Sequence, residues 1–558
     1  MKSLNNKSKR SDTRAIYGLV TVLFVLTALA GLHAAETVSP KEESRDIERM
    51  LRTDNLKIDG VEILTRTTLL ETYEGHGFLP FWTRPARIRE LMELINDSAD
   101  HGLIPSDYNI DQLVQVLQQR ESRPSAEIDA EAEILLTESL FRYGYHRRFG
   151  KVEGSKLDPA INFRRESFNK QSPSLTLEQA VESSSLADFI EVVAPTGPVY
   201  RHLQYKLDLY RDIAAAGGWP LVPEGPTLRL DDRDARVTGI RRRLAVSGDL
   251  GQGSDTGSPV FDQELKGAVM EFQKRHSLDS DGIVGKQSIA AMNVPVEVRV
   301  DQLRLSLERL RWVNQEAADT LVAVNIAGFR AFFYKDGELT WQTRAMVGKH
   351  YRKTPVFRGD MAYLEFNPTW TIPPGILRND TLPAIKKNPN YLASKNIRVI
   401  DKNGKFVDPS TVNWNQYSKG IPYTLRQDPG PNNSLGTVKF IFPNQHFVFL
   451  HDTPHRELFS QSERAFSSGC VRIQDPLSLA ELVLNDPAKY NRSELEAIVA
   501  SKKTQRVNLS PKVPVVIVYL TASVDPGGKV RFYKDVYNRD QKVLDALNGP
   551  VLIDLPDA

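Results

Sequence analysis

Cys470 is the only cysteine among the 558 residues of the chain. A single cysteine excludes an intrachain disulfide framework, and it excludes zinc or iron–sulfur sites built from several thiolates. The fold must therefore be held by hydrophobic cores, for which a hydrophobic content of 41% is an ordinary globular composition. At roughly 150 residues per domain, a chain of this length predicts three to four domains.

The charges of the chain almost cancel, because 72 lysines and arginines stand against 70 aspartates and glutamates. The resulting net charge of +2 provides no broad basic field, so we expect no nucleic-acid partner. A charged content of 25% beside this hydrophobic content also excludes a globally disordered chain.

Residues 1–35 have the pattern of a signal peptide or an N-terminal membrane anchor, since a basic segment precedes an apolar run from Ala15 to about Leu32. The run is near the ~18-residue lower limit for a membrane span. The sequence leaves cleavage and retention open, and both predict that the bulk of the chain is exported. In an oxidising compartment, the unpaired thiol of Cys470 is a liability unless it has a function. Small residues offer cleavage positions at Ala28, Ala30, Ala34 and Ala35.

Residues 36–227 have mostly helical patterns and are predicted to form a helical scaffold domain. The histidines of this part, His76 and His101, lie beside glycines, where we interpret them as structural. No residue pattern here indicates reaction chemistry. Behind Pro85, apolar side chains recur at helical spacing and form one face, at Ile88, Leu91, Met92, Ile95 and Ala99.

Residues 228–297 are predicted to form a small separate domain, with a short helix near Ser288–Met292 at its end. Asp279 and Asp281 invite a calcium-site interpretation, but the later ligands and the closing glutamate of such a loop are missing. The Phe-Gln pair within Ala268–His276 and the Asp-Gly-x-x-Gly of Asp281–Gly285 resemble, in this order, the small three-helix peptidoglycan-binding module. This resemblance implies a cell-wall glycan or stem-peptide partner.

Residues 298–545 are predicted to form a mostly β domain, after an amphipathic helical segment. Between about residues 375 and 436 the sequence is rich in Pro, Asn and Lys, and it interrupts the strands. Loops of this length are usually functional, so we expect an insertion that forms a lid or cap over a site. Residues 546–558 are assigned to a C-terminal tail. The predicted strands are Leu321–Ile326, Ala331–Tyr334, Tyr363–Phe366, Phe440–Phe442, Phe447–Leu450, Val515–Leu520 and Val530–Tyr533.

The segment that points to chemistry contains His451 and, 19 residues later, Cys470. His451 follows the strand-like run Phe447–Leu450, and Cys470 follows the turn residues Ser468 and Gly469. A connection of this length folds back far enough to bring both side chains together. A thiol is nucleophilic as the thiolate, and imidazole is its natural base. The alternative, a buried cysteine that acts as a small hydrophobic residue, is disfavoured by the polar residues around Cys470.

Two other patterns have weaker interpretations. His451 and His455 have the spacing of zinc ligands on a helix, but Pro454 breaks a helix, and no glutamate is placed as in a zinc protease. We therefore expect no metal. The basic cluster Lys349–Lys353 is interpreted as a solvated loop, with contact to an anionic wall polymer as the alternative.

The sequence resembles the L,D-transpeptidase family, with its YkuD-type catalytic domain. The resemblance lies in the order of His451 and the later run Ser467-Ser468-Gly469-Cys470-Val471-Arg472. Many members have a histidine directly before the Gly-Cys pair, whereas this chain has Ser468, which leaves His451 as the base. The runs Asn367–Pro374 and Arg426–Asn433 resemble the larger Gram-negative periplasmic members.

Those larger members combine a helical scaffold, a peptidoglycan-binding module and a catalytic domain with a capping insertion. The resemblance therefore implies a multidomain α+β protein of the same architecture. It also implies a periplasmic location, with the protein either exported or anchored in the inner membrane by its N-terminal segment.

The resemblance implies a transferase in which the Cys470 thiolate attacks the carbonyl between meso-diaminopimelate and D-Ala of a donor tetrapeptide. D-Ala leaves, a thioester forms, and the side-chain amine of a second diaminopimelate then gives a 3→3 crosslink. His451 exchanges the protons of these steps. The partners implied are peptidoglycan stem peptides and glycan, with carbapenem β-lactams as inhibitors. No cofactor is implied.

Four further residues are candidates for the oxyanion or substrate site. The backbone N–H groups of Cys470 and Gly469 are candidate oxyanion donors, and Ser468 beside them is a further candidate. Arg472 is a candidate for holding a substrate carboxylate, with bracing of the loop as an equal alternative. Trp370 is a candidate for lining the donor cleft, with packing as an equal alternative.

Other functions remain open at this stage. The same site with water as the acceptor gives an L,D-carboxypeptidase, and a protein acceptor gives attachment of a lipoprotein to the wall. A degenerate catalytic domain would leave a non-catalytic cell-wall-binding protein. The presence of both His451 and Cys470 argues against this last function.

Overall fold

The structure is a computed structural model that describes residues 39–163, 165, 173–194, 196–251, 253–254, 257–314 and 318–551. The predicted signal peptide or anchor, residues 1–35, lies outside these residues, as do residues 552–558 of the predicted tail. No helix in the described ranges is long and apolar enough to cross a membrane. The described residues fall into two compact units, one within Met1–Lys151, Arg165–Thr196 and Asn548–Ala558, the other within Val152–Arg164 and Gly197–Leu547.

The first unit is helical, as the sequence predicts. Helix α5 (Ala126–Phe149) is buried along most of its length and is capped by Ser125, whose hydroxyl accepts a hydrogen bond from the N–H of Ile128. In α3 (Pro85–Asn96) the predicted apolar face is buried at Ile88, Leu91, Met92 and Ile95, whereas Ala99 lies beyond the helix end. Two strands, β1 (Lys57–Ile58) and β2 (Val61–Glu62), form a hairpin. The helices up to residue 215 are α1 Pro40–Leu51, α2 Arg66–Gly75, α3 Pro85–Asn96, α4 Ile110–Ser122, α5 Ala126–Phe149, α6 Gly154–Leu157, α7 Pro173–Glu182, α8 Leu186–Val193 and α9 Pro198–Ala215. Of these helices, α6 and α9 belong to the second unit.

Within the second unit, three helices follow α9 in the region predicted to be a peptidoglycan-binding module. They are α10 (Arg236–Val246), α11 (Gln263–Arg275) and α12 (Lys286–Met292), and they enclose an apolar core. The amide of Gln273 donates to the Asp281 carboxylate and to the Ile283 carbonyl, both at 2.9 Å. These bonds hold the loop before α12, so Asp281 has an internal structural partner.

The long segment of the second unit begins at Gly197, within the residues 36–227 that the sequence assigns to the scaffold. The reason is α9, whose apolar face packs on α13 (Val296–Asn314). Each buried apolar side chain contributes roughly 1.5–3 kcal/mol, so this contact fixes α9 to the second unit. The pattern of α9 shows that one face is apolar but not which partner covers it. The buried side chains of this contact include Tyr200, Leu203, Leu207, Leu303 and Leu307.

The predicted β domain is a nine-stranded sheet that closes on itself. The strands of the second unit are β3 Leu321–Asn325, β4 Arg330–Lys335, β5 Glu338–Gly348, β6 Phe357–Phe366, β7 Trp370–Thr371, β8 Ile397–Ile400, β9 Phe406–Val407, β10 Thr424–Gln427, β11 Val438–Ile441, β12 Leu450–His451, β13 Ala465–Ser467, β14 Val471–Ile473, β15 Gln505–Val518, β16 Ala522–Val524 and β17 Val530–Phe532. The order in the large sheet is β13-β5-β14-β12-β11-β6-β15-β3-β4, and β4 also pairs with β5, which closes the sheet. The predicted fold class, a helical scaffold, a three-helix module and a mostly β catalytic domain, is confirmed.

The segment predicted as an interrupting loop, about residues 375–436, folds together with residues 370–372 into a small subdomain with its own core. Its strands lie in the order β7-β10-β8-β9. These strands are two to four residues long, too short for alternation to be visible in the sequence. The helices that follow α13 are α14 Pro374–Ile376, a π-helical turn Leu377–Thr381, α15 Leu382–Lys387, α16 Tyr391–Ser394, α17 Pro476–Leu484, α18 Arg492–Ala500 and α19 Asp540–Asn548. The core of the subdomain contains Ile372, Ile385, Leu392, Ile397, Val399 and Leu425.

The predicted strand Phe447–Leu450 is wrong in its first three residues, since β12 begins only at Leu450. The reason is the side chain of Asn444. Its oxygen accepts a hydrogen bond from the Val448 N–H at 3.2 Å, and its amide donates to the Val448 carbonyl at 2.7 Å. These bonds satisfy backbone groups that a strand would pair across the sheet, so the chain turns here. Phe447 consequently has a left-handed φ of +53° and is 85% exposed.

Candidate active site

Cys470 lies in a three-residue connection between β13 and β14, and the hydroxyl of Ser467 folds this connection. Ser467 Oγ accepts a hydrogen bond from the Gly469 N–H at 3.1 Å and donates to the Cys470 carbonyl at 2.5 Å. Gly469 has a φ of +120°, which residues with a Cβ rarely adopt. The Ser-Ser-Gly-Cys pattern is therefore a tight turn that presents Cys470 at the start of β14.

The peptide between Gly469 and Cys470 is held by Thr354, which is fully buried. Thr354 Oγ1 donates to the Gly469 carbonyl at 2.8 Å and accepts from the Gly348 N–H at 2.9 Å. The Tyr537 hydroxyl donates to the Gly348 carbonyl at 2.5 Å and accepts from the Thr354 N–H at 3.2 Å. Because the C=O and N–H of one planar trans peptide point in opposite directions, the bond from Thr354 sets the direction of the Cys470 N–H.

The two candidate oxyanion donors have different surroundings. The Gly469 N–H already donates to Ser467, so it is not available to a reacting carbonyl in this arrangement. This corrects the expectation for Gly469, whose contribution is the conformation of the turn. No hydrogen-bond acceptor for the Cys470 N–H is found among the described residues, and this N–H stays the predicted oxyanion donor.

His451 is buried on β12, which runs parallel to β14 and pairs His451 directly with Arg472. His451 Nδ1 lies 2.5 Å from the carbonyl oxygen of Asp452. Since a carbonyl only accepts, Nδ1 carries the proton, and Nε2 is the acceptor nitrogen of the neutral ring. Burial, and then the Arg472 cation, lower the pKa of His451 to about 3. The ring is therefore neutral at physiological pH, which is the form that a general base needs.

The carbonyl that orients His451 belongs to a residue that is itself fixed. The buried Asp452 carboxylate accepts from the N–H and the hydroxyl of Thr437, at 2.9 and 2.8 Å, and from Arg456 at 2.7 Å. Gly436 has a φ of +65°, and a Cβ there would clash with the Asp452 side chain. These contacts hold the backbone of Asp452 and thereby the imidazole ring.

Cys470 and His451 lie on neighbouring chain segments, because β14 pairs with β12. Cys470 lies in the turn that directly precedes β14, two residues before Arg472, the partner of His451. The thiol is half-buried, with Sγ 3.8 Å from the Phe447 carbonyl oxygen. Burial raises the pKa of the thiol, while a backbone N–H and the cations of Lys439 and Arg472 lower it. The resting thiol is therefore protonated at neutral pH and needs a base.

A row of charged residues crosses the sheet through His451. Arg472 is the direct partner of His451 on one side, and Lys439 of β11 is its direct partner on the other. Lys439 pairs in turn with Glu365 of β6, and Glu365 with Arg506 of β15. Side chains of direct partners lie on the same face, and in the antiparallel pairs of this row their Cβ atoms lie about 4.5–5.5 Å apart. Sequence reasoning missed Lys439, for which the signal is one lysine in a strand whose other residues are Val, Phe and Ile.

The insertion reaches the cysteine turn through Arg352, which belongs to the cluster predicted to be a solvated loop. Arg352 Nη1 donates to Ser468 Oγ at 2.8 Å and to the Asp380 carboxylate of the insertion at 2.6 Å. The Lys349 N–H donates to the Ser467 carbonyl at 3.0 Å. The interpretation as a solvated loop is therefore wrong for this part of the cluster. Ser468, a predicted site residue, has its hydroxyl engaged by Arg352.

The two remaining candidates differ in their surroundings. Trp370 lies on β7 and packs against the apolar core of the insertion, in agreement with the packing alternative. Arg472 Nε is buried without a hydrogen-bond partner, and the Arg472 guanidinium forms no ion pair within the described ranges. Bracing of the loop by Arg472 therefore lacks the hydrogen bonds it requires, which favours the carboxylate alternative.

Comparisons with known proteins match three parts of the chain. Residues 319–517 match the family model described as "L,D-transpeptidase catalytic domain". Residues 233–292 match "Putative peptidoglycan binding domain", and residues 67–207 match "Scaffold domain". The three matches lie in the order that the sequence motifs predict.

Two curated relatives match parts of the chain. A "Putative L,D-transpeptidase" of Haemophilus influenzae is 35% identical over 242 residues, which cover 43% of this chain and 48% of that protein. An "N-acetylmuramoyl-L-alanine amidase CwlM" of Mycobacterium tuberculosis is 38% identical over 80 residues, which cover 13% of this chain and 20% of that protein. The chain thus spans less than half the length of either relative.

One solved structure, titled "Structure of the Ldtfm-avibactam carbamoyl enzyme", is 14% identical to this chain. The match covers 36% of this chain and 49% of that chain, with a TM-score of 0.18. At this TM-score the likeness supports no conclusion about the chain.

Proposed function

We propose that this chain is a peptidoglycan L,D-transpeptidase that forms 3→3 crosslinks. The chain contains an L,D-transpeptidase catalytic domain, a peptidoglycan-binding domain and a scaffold domain. The family resemblance predicted from the cysteine motif is confirmed by these matches. One observation supports the proposal most directly: β12 pairs with β14 so that His451 lies opposite Arg472, two residues after Cys470.

In the first half of the proposed reaction, His451 Nε2 takes the thiol proton of Cys470 as Sγ attacks the carbonyl between diaminopimelate and D-Ala. The negative charge on the carbonyl oxygen is stabilised by the Cys470 N–H, which Thr354 orients through the Gly469 carbonyl. The C–N bond then breaks, His451 returns the proton to the departing amine, and D-Ala leaves. The product is a thioester on Cys470.

In the second half, the side-chain amine of a second diaminopimelate attacks the thioester. His451 takes the proton that this amine loses, the C–S bond breaks, and the thiolate regains the proton. The sum is one new amide bond and one released D-Ala, with no net change in the enzyme. Water in place of the amine would give the L,D-carboxypeptidase reaction, and a protein amine would give attachment of a lipoprotein.

The other parts of the chain are proposed to bring the catalytic site to peptidoglycan. The module at residues 228–297 would bind peptidoglycan, and residues 1–35 would direct the protein to the periplasm, either cleaved or retained as an anchor. Carbapenems are proposed as inhibitors because their strained amide offers a carbonyl to the same nucleophile. With one cysteine in the chain, such an inhibitor has a single thiol to acylate.

The experiment that tests the proposal is incubation of the purified protein with disaccharide tetrapeptide, followed by mass spectrometry of the products. We expect a dimer whose mass equals two muropeptides less one D-Ala. The Cys470→Ala variant should form none. Release of D-Ala with tripeptide as the sole product would identify a carboxypeptidase, and binding to sacculi without any product would identify a non-catalytic wall protein.

A further inference from the structure

A cavity of about 220 Å³, the α13–α19 cavity, lies in the second unit between α13, α19 and residues 157–163. Neither Cys470 nor His451 is among the described residues that line it. At about 30 Å³ per water molecule in the liquid, its volume corresponds to about seven waters, so it admits a compound with one small ring. Apolar side chains form most of its walls, among them Leu157, Ile161, Phe163, Trp312, Val356 and Val543.

Four basic side chains and one carboxylate interrupt this apolar lining. The carboxylate, Asp158, accepts a hydrogen bond from Arg539 Nη2 at 3.0 Å. Arg309 forms an ion pair at 2.6 Å with Asp540, which lies outside the lining. These two pairs account for the carboxylates that reach the basic side chains of the cavity.

The other two cations, Lys353 and Lys542, are exposed and lie at the mouth of the cavity. The ion pairs at the cavity leave both without a carboxylate in the part of the chain that the structure describes. Arg539 lies deeper, and its Nη1 is buried with no hydrogen-bond acceptor among the described residues. Burial lowers the pKa of Arg539, and a buried donor without an acceptor costs free energy. The mouth therefore carries more positive charge than its carboxylates compensate.

The cations of the mouth are close enough to hold one anionic group together. Lys353 Nζ lies 5.8 Å and the Arg539 guanidinium carbon 5.3 Å from the centre of the same ring, that of Tyr537. A guanidinium binds a carboxylate through parallel hydrogen bonds, and an ammonium group adds a further donor. Apolar walls oppose the burial of additional charge, so a monoanion suits the cavity better than a phosphate dianion.

The cavity shares a wall with the contacts that fix the cysteine turn. Lys353 directly precedes Thr354, whose hydroxyl donates to the Gly469 carbonyl at 2.8 Å. The Tyr537 carbonyl accepts from Lys353 Nζ at 2.8 Å, and the Tyr537 hydroxyl accepts from the Thr354 N–H at 3.2 Å. A ligand held by Lys353 is therefore bound to the residue next to the one that orients the predicted oxyanion donor.

We propose that the α13–α19 cavity binds a small carboxylate with an apolar body, and that its occupancy acts on the cysteine turn through Lys353 and Thr354. The carboxylate lies at the mouth with Lys353 and Arg539, and the apolar body enters towards Trp312. Binding at this site goes beyond the proposed function, because it requires no peptidoglycan substrate and no turnover.

The test titrates the purified protein with three probes of one shape and different charge, benzoate, benzamide and benzamidine, by isothermal titration calorimetry. We expect benzoate to bind with a Kd roughly 10- to 100-fold lower than that of benzamide, the range of hydrogen bonds to charged groups. Benzamidine should bind least, since the mouth repels a cation. This comparison requires no variant to fold.

Variants locate the bound benzoate. The double variant Lys353→Met/Lys542→Met should lose about 10-fold in affinity for benzoate and little for benzamide, since it keeps the apolar walls. Val313→Phe places a larger side chain in the lining and should abolish binding of both probes. The matched control, Lys534→Met, removes an exposed lysine that pairs with Glu463 and does not line the cavity, and it should bind like the wild-type protein.

The action on the cysteine turn is measured by backbone hydrogen exchange with mass spectrometry. Bound benzoate should slow exchange in peptides that cover residues 349–356 and 465–472, because it orders the segment that carries Lys353 and Thr354. The control Lys534→Met should show the same slowing, and Val313→Phe should show none.

Equal affinity of the wild-type protein for benzoate and benzamide would overturn the carboxylate site. Benzoate binding that is unchanged in both Val313→Phe and Lys353→Met/Lys542→Met would also overturn it, because the ligand would then lie elsewhere. Unchanged exchange at residues 465–472 under saturating benzoate would overturn the action on the cysteine turn. None of these measurements depends on turnover, so their failure leaves the proposed function to its own test with disaccharide tetrapeptide.

Discussion

The hydroxyl of Thr354 donates a hydrogen bond to the carbonyl oxygen of Gly469 at 2.8 Å. This bond fixes the peptide whose N–H is the predicted oxyanion donor, although the two residues are 115 positions apart in the sequence. Thr354 itself is held by the N–H of Gly348 and the hydroxyl of Tyr537. Thr354 is therefore a positioning residue that acts through the backbone of the cysteine turn.

We expect Thr354→Val to lower kcat about 10-fold with little change in KM, since one hydrogen bond of about 1–1.5 kcal/mol orients the oxyanion donor. Steady-state kinetics on a soluble tetrapeptide donor would measure both constants. Thr354→Ser keeps the hydroxyl and serves as the matched control, with kcat near that of the wild-type protein. An unchanged kcat in a folded Thr354→Val variant would remove this residue from the positioning of Cys470.

Substitution of the two central residues should have different kinetic signatures. Cys470→Ser should lose nearly all turnover, because an alcohol paired with imidazole lacks the acidity and nucleophilicity of a thiol. His451→Ala should retain the nucleophile and lose about 10²–10⁴ in rate from the missing general base. Crosslinking rates measured by chromatography would show both effects, and a near wild-type rate in either variant would exclude that residue from the mechanism.

The reactivity of the thiol should increase with pH across the neutral range. Burial raises the pKa of Cys470, and the pKa of His451 is lowered to about 3, so the free protein holds a neutral thiol and a neutral imidazole. The thiolate fraction, and with it the rate of alkylation by iodoacetamide, therefore rises with pH through 7 and 8. A rate that is already constant between pH 5 and 8 would indicate a preformed thiolate–imidazolium pair and would contradict this prediction.

The peptidoglycan-binding module is packed into the second unit and is more than a tethered anchor. Arg275 donates to the Tyr210 hydroxyl at 3.1 Å, and the ring of His276 stacks on Phe532 at 5.7 Å between centroids. Deletion of residues 228–294 should therefore lower the melting temperature of the remaining protein and its turnover of soluble donors, besides its affinity for sacculi.

The control for this deletion is Lys529→Ala, which breaks an exposed ion pair with Glu271 and removes no apolar contact. An exposed pair contributes about 0–1 kcal/mol, so thermal unfolding should barely change. If the deletion variant kept full turnover of soluble donors and lost only sacculus binding, the packing of the module would have no role in the catalytic domain.

The sequence predicts those elements whose pattern is local. The apolar face behind Pro85 is visible because helical spacing repeats over about three turns. The cysteine turn is visible because serine and glycine precede Cys470. The strands of the insertion are too short to show a period, and Phe447 lies outside a strand because the side chain of Asn444 satisfies the nearby backbone.

The parts of the candidate site that sequence reasoning missed depend on strand register and on long-range contacts. Lys439 is one lysine in an apolar strand until its pairing with His451 is known. Thr354 has no local pattern, and its partner Gly469 lies far along the chain. The motif could identify Gly469 but not that its N–H is already bonded to Ser467, because hydrogen bonding within a turn depends on its backbone angles.

The most direct test of Cys470 as the nucleophile is intact-mass spectrometry of the protein mixed with a tetrapeptide donor whose side-chain amine is acetylated. This donor forms the thioester but is unable to act as the acceptor. We predict a mass gain equal to the donor less one D-Ala, located to the peptide that contains Cys470, released by hydroxylamine and missing in Cys470→Ala. The same adduct in Cys470→Ala, or its location on another residue, would contradict the assignment of Cys470.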